Sequence, residues 1–180
     1  MKHLALVFAL ACASPLAAQM RMSTARPAGQ IDSVYPFDIT LRALDSTAVS
    51  SRDVLPRNGK PTVISFWLTT CQPCMMELSA YIQKWAGWQQ ESPFNLVAIS
   101  TDWPDRFRRV GQVVAEKKFP FPAYWDSNRE FKEIMPGGLN GLPQVFVFDK
   151  NGKLAWHHRK YYSGMEDALF LKIKELNAAP

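Results

Sequence analysis

Three stretches of the chain are almost continuously apolar and rich in β-favouring residues. Thr62 to Leu68 is the strongest, and it predicts a central strand buried on both faces. Phe94 to Ser100 predicts a second buried strand and Gln144 to Asp149 a third. A weaker signal lies ahead of them: Phe37, Ile39 and Leu41 alternate with polar partners, as in a half-buried strand. Asp45-Ser46 then marks a turn and Ala48-Val49-Ser50 a short return strand, with Asn58-Gly59-Lys60-Pro61 as a further turn. Between the strands the spacing changes to three and four. Leu78, Tyr81, Ile82, Trp85 and Trp88 make one apolar helix face. Phe107, Val110 and Val114 line a second helix, with Asp102 as its cap, Pro104 in its first turn and Asp105 favoured by the dipole. Tyr124-Trp125 reads as a short extension and Asn128 to Met135 as a short helix. Asn151-Gly152 is a tight hairpin signal with Lys153 to His158 as the partner strand. Ser163 and Glu166 match a capping box for a last helix, whose stripe is Met165, Leu169, Ile173 and Leu176.

The order is strand–helix–strand–helix, then a hairpin, then a helix. It predicts an α/β fold with a mixed sheet and helices on both faces. The 180 residues suffice for one such domain and a leader. Met1-Lys2-His3 is a short basic start, and Leu4 to Ala11 is apolar but too short to span a bilayer. Leu16-Ala17-Ala18 fits a cleavage site, so residues 1–18 read as a signal peptide, with an uncleaved anchor as the alternative. Cys12, preceded by Leu10-Ala11, leaves a lipoprotein leader open as another. Residues 19–34 read as a flexible polar tether carrying Pro27 and Gly29. The formal net charge of +5 is spread over scattered charges of both signs, with no basic run interleaved with aromatics, which argues against a nucleic-acid partner.

The candidate chemistry is Cys71-Gln72-Pro73-Cys74. The pair follows the strongest strand and opens a strong amphipathic helix. A helix N-terminus offers unpaired N–H groups and partial positive charge, so a thiolate there is stabilised. Its pKa falls from about 8.5 toward 7 or below, and the thiolate is the attacking species in disulfide exchange. Cys71, at the edge of the turn, is expected to attack, and Cys74, one turn in, to resolve. Pro73 fits the first helical turn, where its missing N–H matters little. A zinc site lacks ligands, because His157 and His158 are adjacent and point to opposite faces of a strand. Haem attachment needs His after the second cysteine, where Met75 stands. A purely structural disulfide remains open, although so short a loop gains little closure entropy. No metal or other cofactor is expected.

Taken in order, Gly59-Lys60-Pro61, Ser65-Phe66-Trp67, Cys71-Gln72-Pro73-Cys74, Glu77, Gly141-Leu142-Pro143 with Val145 to Asp149, and Asn151-Gly152-Lys153 resemble the TlpA/ResA-like branch of the thioredoxin superfamily. The resemblance covers residues 35–177. It implies a thioredoxin-like three-layer fold with an N-terminal β-hairpin extension. It implies an extracytoplasmic, often membrane-tethered protein-disulfide reductase, with a disulfide-forming oxidant and a redox-inert or metal-carrying binding module of the same fold as the alternatives. Its substrates would be exported proteins, apocytochromes c among them, and a membrane thiol carrier would supply electrons. Pro143 matches the family's cis-proline beside the cysteines, which frees the Leu142 backbone to pair with an extended substrate. Thr70, Gln72, Pro73 and Leu142 are the expected substrate contacts. Glu77 stands where many members carry an acid, either relaying the Cys74 proton or lying on the surface of the first turn. Two positions depart from the pattern. Thr70 replaces a tryptophan, so a bulky lid over the sulfur is either missing or supplied by Trp67 or another aromatic, and Ser65 replaces the buried acid of cytoplasmic thioredoxins.

Overall fold

The structure, a computed structural model, describes residues 38–179. The signal peptide, tether, Cys12 and Phe37 lie outside the described residues. Strand β3 (Thr62–Trp67) is buried at every position. The reason is its central place in a seven-stranded sheet ordered β2-β1-β5-β4-β3-β6-β7. It pairs in parallel with β4 (Asn95–Ser100) and antiparallel with β6 (Gln144–Phe148). Beyond β4 lies β5 (Ala123–Trp125), and beyond β6 the edge strand β7 (Leu154–Arg159). The N-terminal hairpin of β1 (Thr40–Arg42) and β2 (Ala48–Ser50) joins through the antiparallel pair Arg42–Trp125. The sheet is therefore mixed, as the alternation of helix and hairpin connections requires.

Period-two alternation sends Val63, Ser65 and Trp67 to one face of the sheet and Ile64 and Phe66 to the other. The first face carries the larger core, in which α2 (Gln72–Glu91), α3 (Phe107–Lys117) and α5 (Met165–Ala178) bury Leu78, Tyr81, Trp88, Val110, Leu169 and Ile173. Trp88 of α2 stacks on Phe170 of α5 with ring centroids 5.3 Å apart, a contact of about 0.5–1.5 kcal/mol beyond area burial. The second face is covered by two single turns, α1 (Ser51–Val54) and α4 (Phe131–Ile134), with Leu55, Met135 and Leu139. Helices do flank both faces, but the long ones share one.

Three local expectations are corrected. Asp102 does not cap α3, which begins at Phe107 after a 3-10 turn over Pro104–Arg106. The side chain is engaged by Thr69 instead. The buried residues of α3 are Val110 and Val113, with Val114 only partly covered, although all three lie within one turn of the same apolar face. Ser163 does not cap α5; Gly164, at φ 98°, holds the N-cap position, and Glu166 reaches back to accept from its N–H at 3.0 Å. A positive φ there suits glycine.

Candidate active site

Cys71 is the N-cap of α2, in extended conformation, and its Sγ accepts from the backbone N–H of Cys74 at 3.2 Å. Gln72 and Pro73 fill the first two helical positions. The two cysteines form a disulfide with Cα atoms 5.2 Å apart. Cys71 is half-buried, and Cys74 has no exposed surface. Thr70, Gln72 and Pro73 are exposed around the first sulfur. Leu142, half-buried, packs on the rim of the same core as Cys71, and the Leu142–Pro143 peptide bond is cis.

The approach to Cys71 is tied to β4. Asp102, 1 % exposed, accepts from the Thr69 N–H at 2.8 Å, the Thr69 hydroxyl at 2.7 Å and the Ser100 hydroxyl at 2.7 Å. A carboxylate with three donors is well compensated for burial. Asp102 thus fixes the residue two places before Cys71 rather than a helix end. Its neighbour Trp103 is 61 % exposed, with the Arg129 guanidinium 4.4 Å from its ring centroid. Trp67 cannot shield the sulfur from outside, because it is fully buried and packs on Phe119. The loop before Pro143 is also tied: the Gln144 side-chain amide donates to the carbonyls of Gly138 and Asn140 at 3.2 and 3.3 Å, and Arg159 donates to Asn140.

Glu77 is fully buried, one turn beyond Cys74, so it is not a surface residue of the first turn. Its Oε1 lies 2.9 Å from His158 Nε2 and its Oε2 3.3 Å from the Ser65 hydroxyl. His158 is the site residue that sequence reasoning missed as a functional group. The alternation of β7 correctly put His157 and His158 on opposite faces, but nothing local paired His158 with Glu77, 81 positions away. Tyr81 is buried beside them. Burial, and then the Glu77 charge, push its phenol well above the ordinary range. Among the described residues, no group of three potential metal ligands gathers, and no helix is long and apolar enough to cross a membrane.

The AhpC/TSA family model matches residues 34–157. The chain is similar to the thiol-disulfide oxidoreductase ResA of Oceanobacillus iheyensis, with 29 % identity over 62 % of this chain and 54 % of the relative. It therefore spans about half the length of that relative. Among solved structures, a thioredoxin-like protein of Porphyromonas gingivalis superposes with a TM-score of 0.68 at 31 % identity, covering 82 % of this chain and 94 % of the other. A thiol:disulfide interchange protein of the thioredoxin family from Chlorobium tepidum gives 0.60 at 21 % identity, covering 80 % and 98 %. The fold is thioredoxin-like.

Proposed function

The chain belongs to the AhpC/TSA family, and on that premise we propose that it is a thiol–disulfide oxidoreductase that reduces disulfides of other proteins through Cys71 and Cys74. The observation that carries this reading is the asymmetry of the pair. One sulfur sits at a helix N-cap and reaches solvent, and the other lies buried one turn in. Reduced, Cys71 is held as a thiolate by the Cys74 N–H and the helix dipole. It attacks one sulfur of a substrate disulfide; the S–S bond breaks, and the departing thiolate takes a proton from solvent. Cys71 is then in a mixed disulfide. Cys74 gives up its proton to Glu77 and attacks Cys71 Sγ. The second substrate sulfur leaves, and the two electrons of the dithiol have passed to the substrate. Thr70, Gln72 and Pro73 border the attacked sulfur, and the Leu142 backbone offers strand-type pairing to an extended segment.

The finer parts of the reading rest on the sequence and on the family resemblance. The working domain is taken as residues 35–177, preceded by an export leader over 1–18 and a tether over 19–34. Its place would be periplasmic or otherwise outside the cytoplasm. Exported proteins, apocytochrome c among them, would be substrates, and a membrane thiol carrier would restore the dithiol.

Insulin reduction driven by dithiothreitol tests the activity. Turnover by the wild type, lost in Cys71→Ser with an unchanged circular dichroism spectrum, supports it; equal rates in both overturn it. The reduction potential decides direction: a value near that of thioredoxin, about −270 mV, marks a reductant, and one near −120 mV an oxidant.

A further inference from the structure

His158 reaches Glu77 through the register of the sheet. Ser65 on β3 pairs with Val145 on β6, and Val145 pairs with His158 on β7. Ser65, Val145 and His158 therefore form one row across three strands, with their side chains on the same face. Helix α2 crosses that row one turn past Cys74 and sets the Glu77 carboxyl between the two polar ends. The result is a carboxyl with a polar group on each oxygen, the Ser65 hydroxyl donating at 3.3 Å and His158 Nε2 at 2.9 Å. Neither Glu77 nor Ser65 has any exposed surface, and His158 is 8 % exposed.

The form of Glu77 able to take a proton, the ionised one, assigns the imidazole tautomer. An ionised carboxylate only accepts, so Nε2 carries the proton and Nδ1 is bare. Nδ1 is buried and has no hydrogen-bond partner among the described residues. The pair carries one negative charge in this state, and uptake of one proton discharges it.

We propose that His158 is a positioning residue for the resolving step, holding Glu77 in the orientation from which it takes the Cys74 thiol proton. This rests on the dithiol reading above. The balance of the step is simple. The S–H bond of Cys74 breaks, and its proton passes to the Glu77–His158 pair, which becomes neutral. The Cys74 sulfur carries the electron pair into the new bond with Cys71 Sγ. The substrate thiolate leaves with the negative charge.

The surrounding groups do not compete for that proton near neutrality. Tyr81 on α2 is held protonated by burial and by the Glu77 charge. Tyr161, after β7, is pushed up to about 12 by burial and by its hydrogen bond to Glu166. Burial opposes ionisation of Glu166 on α5, but its own backbone N–H, Tyr161 and the Gly164 N–H together hold its pKa below the ordinary carboxylate value. Lys84 on α2 faces Glu166 and Asp167 and stays charged, raised chiefly by Asp167. His157 and Arg159 lie on the other side of β7, where the His157 ring stacks on Phe146.

The test uses reduced protein and the aromatic disulfide DTNB, which releases one coloured thiolate when Cys71 attacks and a second when Cys74 resolves. In His158→Leu the second phase slows by about tenfold or more, and the first stays within about twofold of wild type. In His158→Gln, whose amide N–H can still donate to Glu77, the second phase returns to within about threefold of wild type. The pH profile of the second phase shifts in His158→Leu and is restored in His158→Gln. An unchanged second phase in His158→Leu, or equal slowing of both phases in both variants, overturns the assignment. If His158→Leu fails to fold, wild-type protein labelled with ¹⁵N-histidine decides: the ring shifts of His158 must differ between the disulfide and dithiol forms, and identical shifts overturn the proposal. If wild type releases no thiolate in either phase, the dithiol reading itself has failed, and that outcome is distinct from the others.

Discussion

The two cysteines are three residues apart and lie in different environments. Around Cys71 the surface is open: Thr70, Gln72 and Pro73 are exposed, Met76 is 52 % exposed, and Trp103, next to the Asp102 that holds Thr69, is 61 % exposed. A cleft of about 480 Å³ runs beside it between α2 and α3, lined by Thr69, Gln72, Met76, Arg109 and Lys117 among others. Around Cys74 nothing is open: Glu77, Ser65 and Tyr81 have no exposed surface, and His158 has almost none. The mouth is held by one buried carboxylate, Asp102, and the floor contains another, Glu77. They differ in what they bind. Asp102 is met by three donors on backbone and hydroxyl groups, which fix a loop. Glu77 is met by a hydroxyl and an imidazole, and the imidazole can change protonation state. The mouth suits recognition and attack, and the floor suits proton transfer and resolution.

The comparison breaks most sharply at the sulfurs. Cys71→Ser abolishes disulfide reduction in the insulin assay. Cys74→Ser still attacks but cannot resolve, so covalent substrate adducts accumulate on non-reducing gels; absence of adducts would remove the division of labour. Next in size is Glu77→Leu, which slows resolution by about a hundredfold while leaving attack by Cys71 close to wild type. It also strands the Ser65 and His158 donors in the core, lowering stability by about 1–3 kcal/mol in a urea titration.

At the mouth, Asp102→Ala leaves the Thr69 N–H and hydroxyl without their acceptor. A loss of about 1–3 kcal/mol is expected, with faster hydrogen exchange at the Thr69 amide and little change in the resolving phase. Trp103→Ala is smaller still: KM for a protein substrate rises a few-fold, about 1 kcal/mol of contact, while kcat and the unfolding midpoint stay put. The smallest effect is a pH dependence. Burial first, then Arg159 and His158, lower the His157 pKa below the ordinary 6.5. Below pH 6.5 the unfolded chain takes up a proton that the folded chain refuses. Stability therefore falls as pH drops from 6.5 toward the folded value and is flat above that window. Unfolding midpoints of His157→Phe across this range should lack that component.

Much of this division is legible in the sequence, and the rest is not for a physical reason. The unbroken apolar run of β3, the 3.6-residue stripe of α2 and the Asn151-Gly152 turn are local signals, and each element stands where its pattern puts it. The placement of Cys71 before α2 follows from those two elements alone. Asp102 misleads because an aspartate before Pro104 has the composition of a helix cap, while Thr69, the source of two of its three donors, sits 33 residues earlier. Ser163 misleads similarly, since Gly164 with its positive φ takes the cap position. The Glu77–His158 contact depends on the register of β3, β6 and β7 together with the crossing of α2, and no periodicity encodes such a relation. Ser65 gave the nearest hint: a small polar residue within an apolar strand requires a partner, and that partner is Glu77.

The most direct test of the account is the rate at which reduced protein is alkylated by iodoacetamide as pH is varied, with the modified residue identified by mass spectrometry. The account predicts that Cys71 is modified first, with an apparent ionisation well below that of free cysteine, about 8.5, and that Cys74 reacts slowly throughout. Equal reactivity of the two sulfurs, with neither ionising below free cysteine, would contradict it.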